Sequence, residues 1–164
     1  MRTFEINVAA ALIRSSNNRI VLGRKYANPK CNGLYPGQYV LPGGVYRKSI
    51  PPLAAALAET REETGLDIFG FPITHLDNIV RHLSPVWLRS GEVVLYDVRG
   101  EIFEVDTGMP WQNLPLTCGS ELANVRWVPE EKLYKFDHCA PSEILFQALG
   151  LLPLKNAANL EFAV

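Results

Sequence analysis

Cysteine is scarce in this 164-residue chain: Cys31, Cys118 and Cys139 are three in number, far apart and without a Cys-x-x-Cys pair, so no disulfide framework is expected. No apolar run approaches the roughly 18 residues of a membrane-spanning helix, and no signal peptide is visible. The cytoplasm follows by default. An excess of either charge is also missing. With 16 basic and 17 acidic side chains the net charge is −1, which supplies no long-range attraction for polymeric nucleic acid or an acidic membrane. Low-complexity tracts and internal repeats are absent too. What remains is one domain, 1–150, followed by an extension, 151–164, of open role. A chain of this length buries roughly 70% of its unfolded surface and needs no covalent staple.

What the chain does have is an acidic cluster where such a cluster is costly. Residues 53–66 (LAAALAETREETGL) read as a helix that starts at Pro51 or Pro52, with Ser49 as a cap, and ends at Gly65. Glu59, Glu62 and Glu63 then share one face at i, i+3 and i+4, where like charges cost about 0.2–0.5 kcal/mol per pair. Glu62 and Glu63 also lie in the last turn, where the helix dipole disfavours anions by about 0.3–1 kcal/mol each. A divalent cation reverses both penalties. Leu53, Ala56, Leu57 and Thr60 form the expected core-facing stripe, away from the glutamates. Upstream, Tyr39-Val40-Leu41 reads as a short strand entering Pro42-Gly43-Gly44, a turn in which glycine lets a backbone carbonyl approach an ion. On its own, an acidic helix face is as often solvated surface as a metal site.

Together Gly44, Glu59, Glu62, Glu63, Gly65 and Leu66 resemble the Nudix box, G-x5-E-x7-R-E-U-x-E-E-x-G-U with U a bulky apolar residue. The match is partial. Ile50 stands where the box has its first glutamate, Ala58 where it has arginine, and Thr60 at an apolar position. The likeness extends further. Segments 8–14 and 19–24, around Ser15-Ser16-Asn17-Asn18, read as a hairpin similar to the strands that precede the box. Segment 124–129, followed by 130–133, is similar to the family's last strand and short helix. Residues 68–83 and 92–105 read as strands, 106–119 as a loop, and 142–149 as a second amphipathic helix between Pro141 and Gly150. The resemblance covers most of the chain and implies an α/β fold, the Nudix α/β/α sandwich with a mixed β-sheet.

The resemblance also implies an activity: Mg²⁺-dependent cleavage of a phosphoanhydride bond in a nucleoside diphosphate linked to another moiety, with Mn²⁺ as a second candidate ion. The substrate would be a nucleoside triphosphate, a nucleotide sugar or a dinucleotide. By the same resemblance Glu59 and Glu63 are direct metal ligands, Glu62 holds the metal or its water, and the Gly43 carbonyl supplies a further ligand. Glu121, in the loop before Trp127, is the candidate base or extra ligand. Glutamates around a cation answer what a diphosphate demands, because its oxygens must be neutralised, a water positioned and a base supplied. Arg24 and Arg47 are expected to meet phosphate oxygens through their planar forks, whereas Lys25 and Lys48 are read as solubilising. Tyr39 is the candidate stacking residue for a base, with Tyr35, Trp87 and Trp111 as other surfaces. The expected partner is a small nucleotide, with a homodimer left open. Specificity is expected in loops 26–38 and 106–119, since binding residues tend to sit on loops held by a rigid frame.

The departures from the box set the expected rate. Ala58 cannot make the charge-assisted bond that an arginine makes there, and Arg61 projects about 160° away from Glu59 around the helix. Loss of an acid at Ile50 together with a base at Ala58 keeps the local charge balance. Loss of an orienting group costs about 10–100-fold, so the expectation is a slow or narrow hydrolase. The alternative is a catalytically weak or inactive Nudix-like domain that binds a nucleotide and regulates. A third reading, an interaction domain, would use Leu160 and Phe162 of the extension. Cys139 beside His138 is taken as ordinary, because adjacency in sequence is not the spatial pairing that nucleophilic or zinc chemistry needs.

Overall fold

The run Val8-Ala9-Ala10-Ala11-Leu12-Ile13 is apolar without alternation, the pattern of a strand covered on both faces. The computed structural model, which describes residues 2–26, 34–87 and 90–154 without the side chains of 78, 79 and 87, places that run at the centre of the fold. Cys31, most of loop 26–38, the Trp87 ring, and Leu160 and Phe162 lie outside the described residues. In chain order the elements are β1 (Thr3–Arg14), β2 (Arg19–Lys25), β3 (Tyr39–Val40), β4 (Gly43–Val45), α1 (Pro52–Thr64), β5 (Ile73–Trp87), β6 (Val93–Asp106), β7 (Leu122–Pro129) and α2 (Ala140–Ala148). Two 3-10 turns, Trp111–Asn113 and Glu130–Lys135, flank β7.

Among the described residues the sheet has seven strands in the order β3-β2-β1-β6-β5, with β4 on β1 and β7 on β2. It is mixed. β1 runs parallel to β6 from the Thr3–Leu95 rung to the Arg14–Asp106 rung, and the other pairs are antiparallel. Side chains of β1 alternate between two layers. Ala9, Ala11 and Ile13 face the side where Ala56 of α1 packs, and Ala10 and Leu12 face Leu145 and Phe146 of α2. The expected α/β/α sandwich is therefore the fold observed, and among the described residues no helix is long and apolar enough to cross a membrane.

Several boundaries differ from expectation for physical reasons. The hairpin turn closes, with Ser15 N–H donating to Arg19 O at 2.9 Å and Asn18 at φ 55°, but β1 meets β2 at the Arg14–Ile20 rung and gives the Val8 to Ala10 stretch of that edge to β4. Gly43-Gly44 is thus strand as well as turn, and at Gly43 only a residue without a side chain fits against Ala9 and Ala10. Ser49 does not cap α1: the cap position is Pro51, with no side-chain bond, and Pro52 opens the helix as proline tolerates. Gly65 ends it in the left-handed conformation, φ 74°, its N–H donating to Arg61 O. Of the expected loop 106–119, Asp106 still belongs to β6, and 107–119 is irregular apart from its 3-10 turn. α2 starts at Ala140, so Pro141 sits inside its first turn. After Gly150, the N–H groups of Leu151 and Leu152 donate to Phe146 O at 2.8 and 3.2 Å, and both side chains pack on the α2 core.

One correction bears on the site. The buried stripe of α1 is Ala56, Thr60, Glu63 and Thr64, while Leu53 is 37% exposed and Leu57 half-buried. At 100° per residue Glu63 lies about 20° from Ala56 around the helix, so its side chain enters the core with the stripe. Glu62 stays exposed and Glu59 sits between these extremes. The three glutamates do not form one exposed face.

Candidate active site

Glu63 is 2% exposed. Its Oε2 accepts a hydrogen bond from Gly43 N–H at 2.8 Å, and its Oε1 is buried without a partner. Burial pushes its carboxyl up to about 8, with the charges of Glu59 and Glu121 adding and the Gly43 N–H and Lys25 opposing. Burial also raises Glu59, reinforced by Glu121 and Glu62 and again opposed by Lys25. Glu59 lies against the second glycine: a Cβ on Gly44 would come within 2.7 Å of its carboxyl carbon. The glycine pair therefore does two jobs, one donating a backbone N–H to Glu63 and the other leaving room for Glu59.

Glu121 reaches this group through the chain around Gly119. Thr117 N–H donates to Thr64 O at 2.8 Å and Gly119 N–H to Glu63 O at 3.1 Å, satisfying carbonyls that the end of α1 would otherwise leave open. A Cβ on Gly119 would stand 2.3 Å from Glu62 O, so the approach requires glycine. Two residues later Glu121 stands immediately before β7, and its charge acts on both Glu59 and Glu63.

The box glutamates thus carry two raised carboxyls and one unpartnered buried oxygen. Among the described residues no group of three or more His, Cys, Asp or Glu side chains is arranged to hold a metal ion. A divalent ion that keeps several waters and is completed by substrate phosphate needs only one or two protein carboxylates, and the unpartnered Glu63 Oε1 and the neighbouring Glu59 are oxygens that could serve it. The Gly43 N–H is the group seen engaged with Glu63.

A cavity of about 240 Å³ opens beside the glycines, lined by Gly43, Gly44, Val40, Tyr35, Lys25 and Cys139 among others. It lies on the α2 side of the sheet and is mostly apolar, as small-molecule sites are. Of the aromatic candidates Tyr35 lines it; burial raises its phenol to about 12. Tyr39 is turned away. Its ring meets Phe136 edge-on at 4.9 Å and Arg126 Nη2 donates to its hydroxyl at 3.3 Å. Trp111 lies under the Arg19 guanidinium, 4.7 Å from it. Arg24 is exposed with Nε donating to Gly37 O at 2.7 Å, and Arg47 is exposed after β4. Cys139 donates to Ser142 Oγ at 3.2 Å while the His138 ring, by its Nε2, bonds Leu133 O at 2.7 Å, so the two neighbours do not pair.

Lys25 is the residue that the sequence reading set aside and the structure brings in. It is half-buried, lines the cavity beside both glycines, and its charge acts on Glu59, Glu63 and Cys139. The available signal was strand alternation, since Lys25 and Arg24 must face opposite sides of β2.

Replacing Gly44 by Ala is expected to leave the fold intact, because the obstacle is the movable end of Glu59, and to weaken divalent-cation affinity about tenfold or more by displacing that carboxylate. Mn²⁺ titration beside a thermal melt checks it. Unchanged affinity would mean that Glu59 is not a ligand.

The family model of the NUDIX domain matches residues 4–149. The chain belongs to the Nudix family, which places it in the class of Nudix-type pyrophosphohydrolases. Among solved structures it is similar to the MutT protein from Methanosarcina mazei Go1, at 18% identity over 92% of this chain and 96% of that one, with a TM-score of 0.64. It is also similar to the NUDIX domain of Shewanella oneidensis NrtR complexed with ADP ribose, at 12% identity over 90% and 88% of the two chains, with a TM-score of 0.61. A third is a bifunctional NMN adenylyltransferase/ADP ribose pyrophosphatase from Francisella tularensis, complexed with AMP and a manganese ion, at 16% identity over 89% of this chain and 41% of that one, with a TM-score of 0.59. These likenesses show a shared fold. No curated protein matches the chain significantly.

Proposed function

We propose that the protein cleaves a phosphoanhydride bond in a small nucleoside diphosphate derivative, with Mg²⁺ or Mn²⁺ held by Glu59, Glu63 and Glu121. The observation that carries this reading is Glu63: a carboxylate kept in the core with one oxygen unpartnered is costly unless a cation uses it. The chemistry a bound cation supplies is neutralisation of phosphoryl oxygens and activation of water. The chain's own residues do the rest. Gly43 N–H orients Glu63, the chain at Gly119 carries Glu121 to the same place, and Glu62 or Glu121 accepts the proton of the attacking water. The cavity beside Gly43 and Gly44 takes the substrate's organic moiety, whose diphosphate then lies across the carboxylates.

A second reading has its own support. Ala58 and Ile50 are both exposed, and neither can make the ion pair or charge-assisted bond of the box residues they replace, which favours a domain that binds a nucleotide without turning it over. A panel of nucleoside triphosphates, nucleotide sugars and dinucleotides with Mg²⁺ and with Mn²⁺, assayed for phosphate or nucleoside monophosphate, separates the two. Turnover of at least one class is expected. Nucleotide binding without turnover across the panel would replace catalysis with recognition.

A further inference from the structure

Cys139 lines the cavity beside the glycines, and His138, one residue earlier, lines a separate cavity of about 270 Å³. The segment between them is held against β3: Tyr39 N–H donates to Asp137 O at 2.8 Å and Cys139 N–H donates to Tyr39 O at 3.0 Å, in a parallel bridge. Neighbouring side chains in such an extended segment face opposite ways. His138 is 8% exposed, and its Nε2 lies 2.7 Å from Leu133 O. A carbonyl only accepts, so Nε2 carries the hydrogen. Burial disfavours the imidazolium, opposed by the Leu133 carbonyl and the charges of Glu143 and Asp137. Nδ1 is therefore an acceptor, and it is buried without a hydrogen-bond partner. An acceptor left open in the interior is a cost that a bound donor removes.

The rest of the wall has the same character. Asp137 and Glu143 bring carboxylates, Tyr134 and Phe136 bring rings, Leu152 brings an apolar side, and among the described residues no lysine or arginine lines the space. Asp137 Oδ1 accepts one long bond, 3.4 Å, from Gln38 Nε2. Cations already gather at the two rings from outside, Lys135 Nζ 5.7 Å from the Tyr134 centroid and the Arg126 guanidinium 5.8 Å from that of Phe136. We propose that this cavity binds a small aliphatic amine, whose ammonium donates to His138 Nδ1 and is neutralised by Asp137 and Glu143, with its carbons against Leu152 and the rings. An ammonium has three donors and no acceptor, which is the complement of what the wall presents. Its charge is favoured by carboxylates through charge-assisted bonds and by ring faces through their quadrupole. At roughly 30 Å³ per water the space exceeds what a single ion needs and takes a short carbon chain as well. A phosphate is repelled by the same walls, so the site is distinct from the diphosphate centre.

The probe is α,ω-diaminopentane, and α,ω-pentanediol, of equal length and without charge, is its control. Both are titrated into the full chain at about 0.15 M salt, where long-range attraction between exposed charges is screened. The readouts are calorimetry and the ring-nitrogen resonances of His138. A saturable shift of Nδ1 toward its hydrogen-bonded position is expected with the diamine, and the diol is expected to bind about tenfold or more weakly. Glu143→Gln and Asp137→Asn are each expected to weaken the diamine about three- to tenfold. His138→Phe keeps a ring against Phe146, whose centroid lies 5.0 Å away, and is expected to lose about tenfold in affinity. Should that variant fail to fold, the Nδ1 resonance of the wild type decides alone. An Nδ1 resonance that does not respond overturns the proposal, as does a diol that binds as well as the diamine. Diamine affinity indifferent to both carboxylate variants overturns it too. None of these readouts involves Mg²⁺, diphosphate or turnover, so the result is independent of the hydrolase reading.

Discussion

Glu63→Gln is expected to make the metal-free protein more stable at about pH 8 while changing little at about pH 4.5, the carboxyl's ordinary value. The buried carboxyl titrates near 8 in the folded chain and near 4.5 when unfolded, so between those values the folded state holds a proton that the unfolded state has released. Stability therefore falls as pH rises through that window. At about 1.4 kcal/mol per unit the total loss is on the order of 3–5 kcal/mol. A glutamine keeps an oxygen that accepts from Gly43 N–H and carries no charge into the core, so the variant's melting temperature should be flat where the wild type's declines. Thermal melts in a chelator at both ends of the window check this. Mg²⁺ should restore the wild type preferentially at high pH and leave the variant unmoved. A wild-type melting temperature independent of pH would show that Glu63 is not a strained buried acid.

Gly43→Ala carries the largest expected loss of stability. A Cβ there would lie 2.4 Å from Ala9 O and 2.6 Å from both Ala10 Cα and Ala10 Cβ, and φ is +157°. These obstacles are mostly the backbone of the central strand, which cannot rotate away as a side chain can. Overpacking combined with backbone strain costs about 3–5 kcal/mol, and at roughly 2–4 °C per kcal/mol for a chain of this size the melting temperature should drop by about 10 °C. Gly44→Ala meets a carboxylate instead, so adjacent glycines should respond differently, one in stability and the other in cation affinity. Equal melting temperatures for the two variants would contradict the β4 packing.

These two effects arise from contacts that are unevenly legible in the chain. The helix from Pro52, its end at Gly65 and the strands before and after it were readable, because hydrophobic periodicity and terminal glycine or proline are local signals. β4 was not. Three residues, two of them glycine, carry no side-chain pattern, and their pairing depends on alanines about thirty-five positions away that only the tertiary fold brings near. Burial of Glu63 follows from helix periodicity, since it lies seven residues from Ala56 on the same stripe, whereas its charge groups it with Glu59 and Glu62. Tyr39 and Val40 show the same limit: in a strand of two residues the side chains face opposite ways, and sequence alone does not say which one meets the cavity. Arg24 and Lys25 alternate in the same way along β2.

Loss of function and gain of stability at one residue would be the signature of an active-site acid held in a destabilising place. The direct measurement is Mg²⁺-dependent turnover of the best panel substrate by wild type and by Glu63→Gln, each with and without chelator. Chelation is expected to abolish wild-type turnover, and the variant to lose about 100-fold or more while remaining folded. Turnover that survives chelation, or a Glu63→Gln enzyme as fast as the wild type, would contradict a cation-dependent centre built on the buried carboxylate.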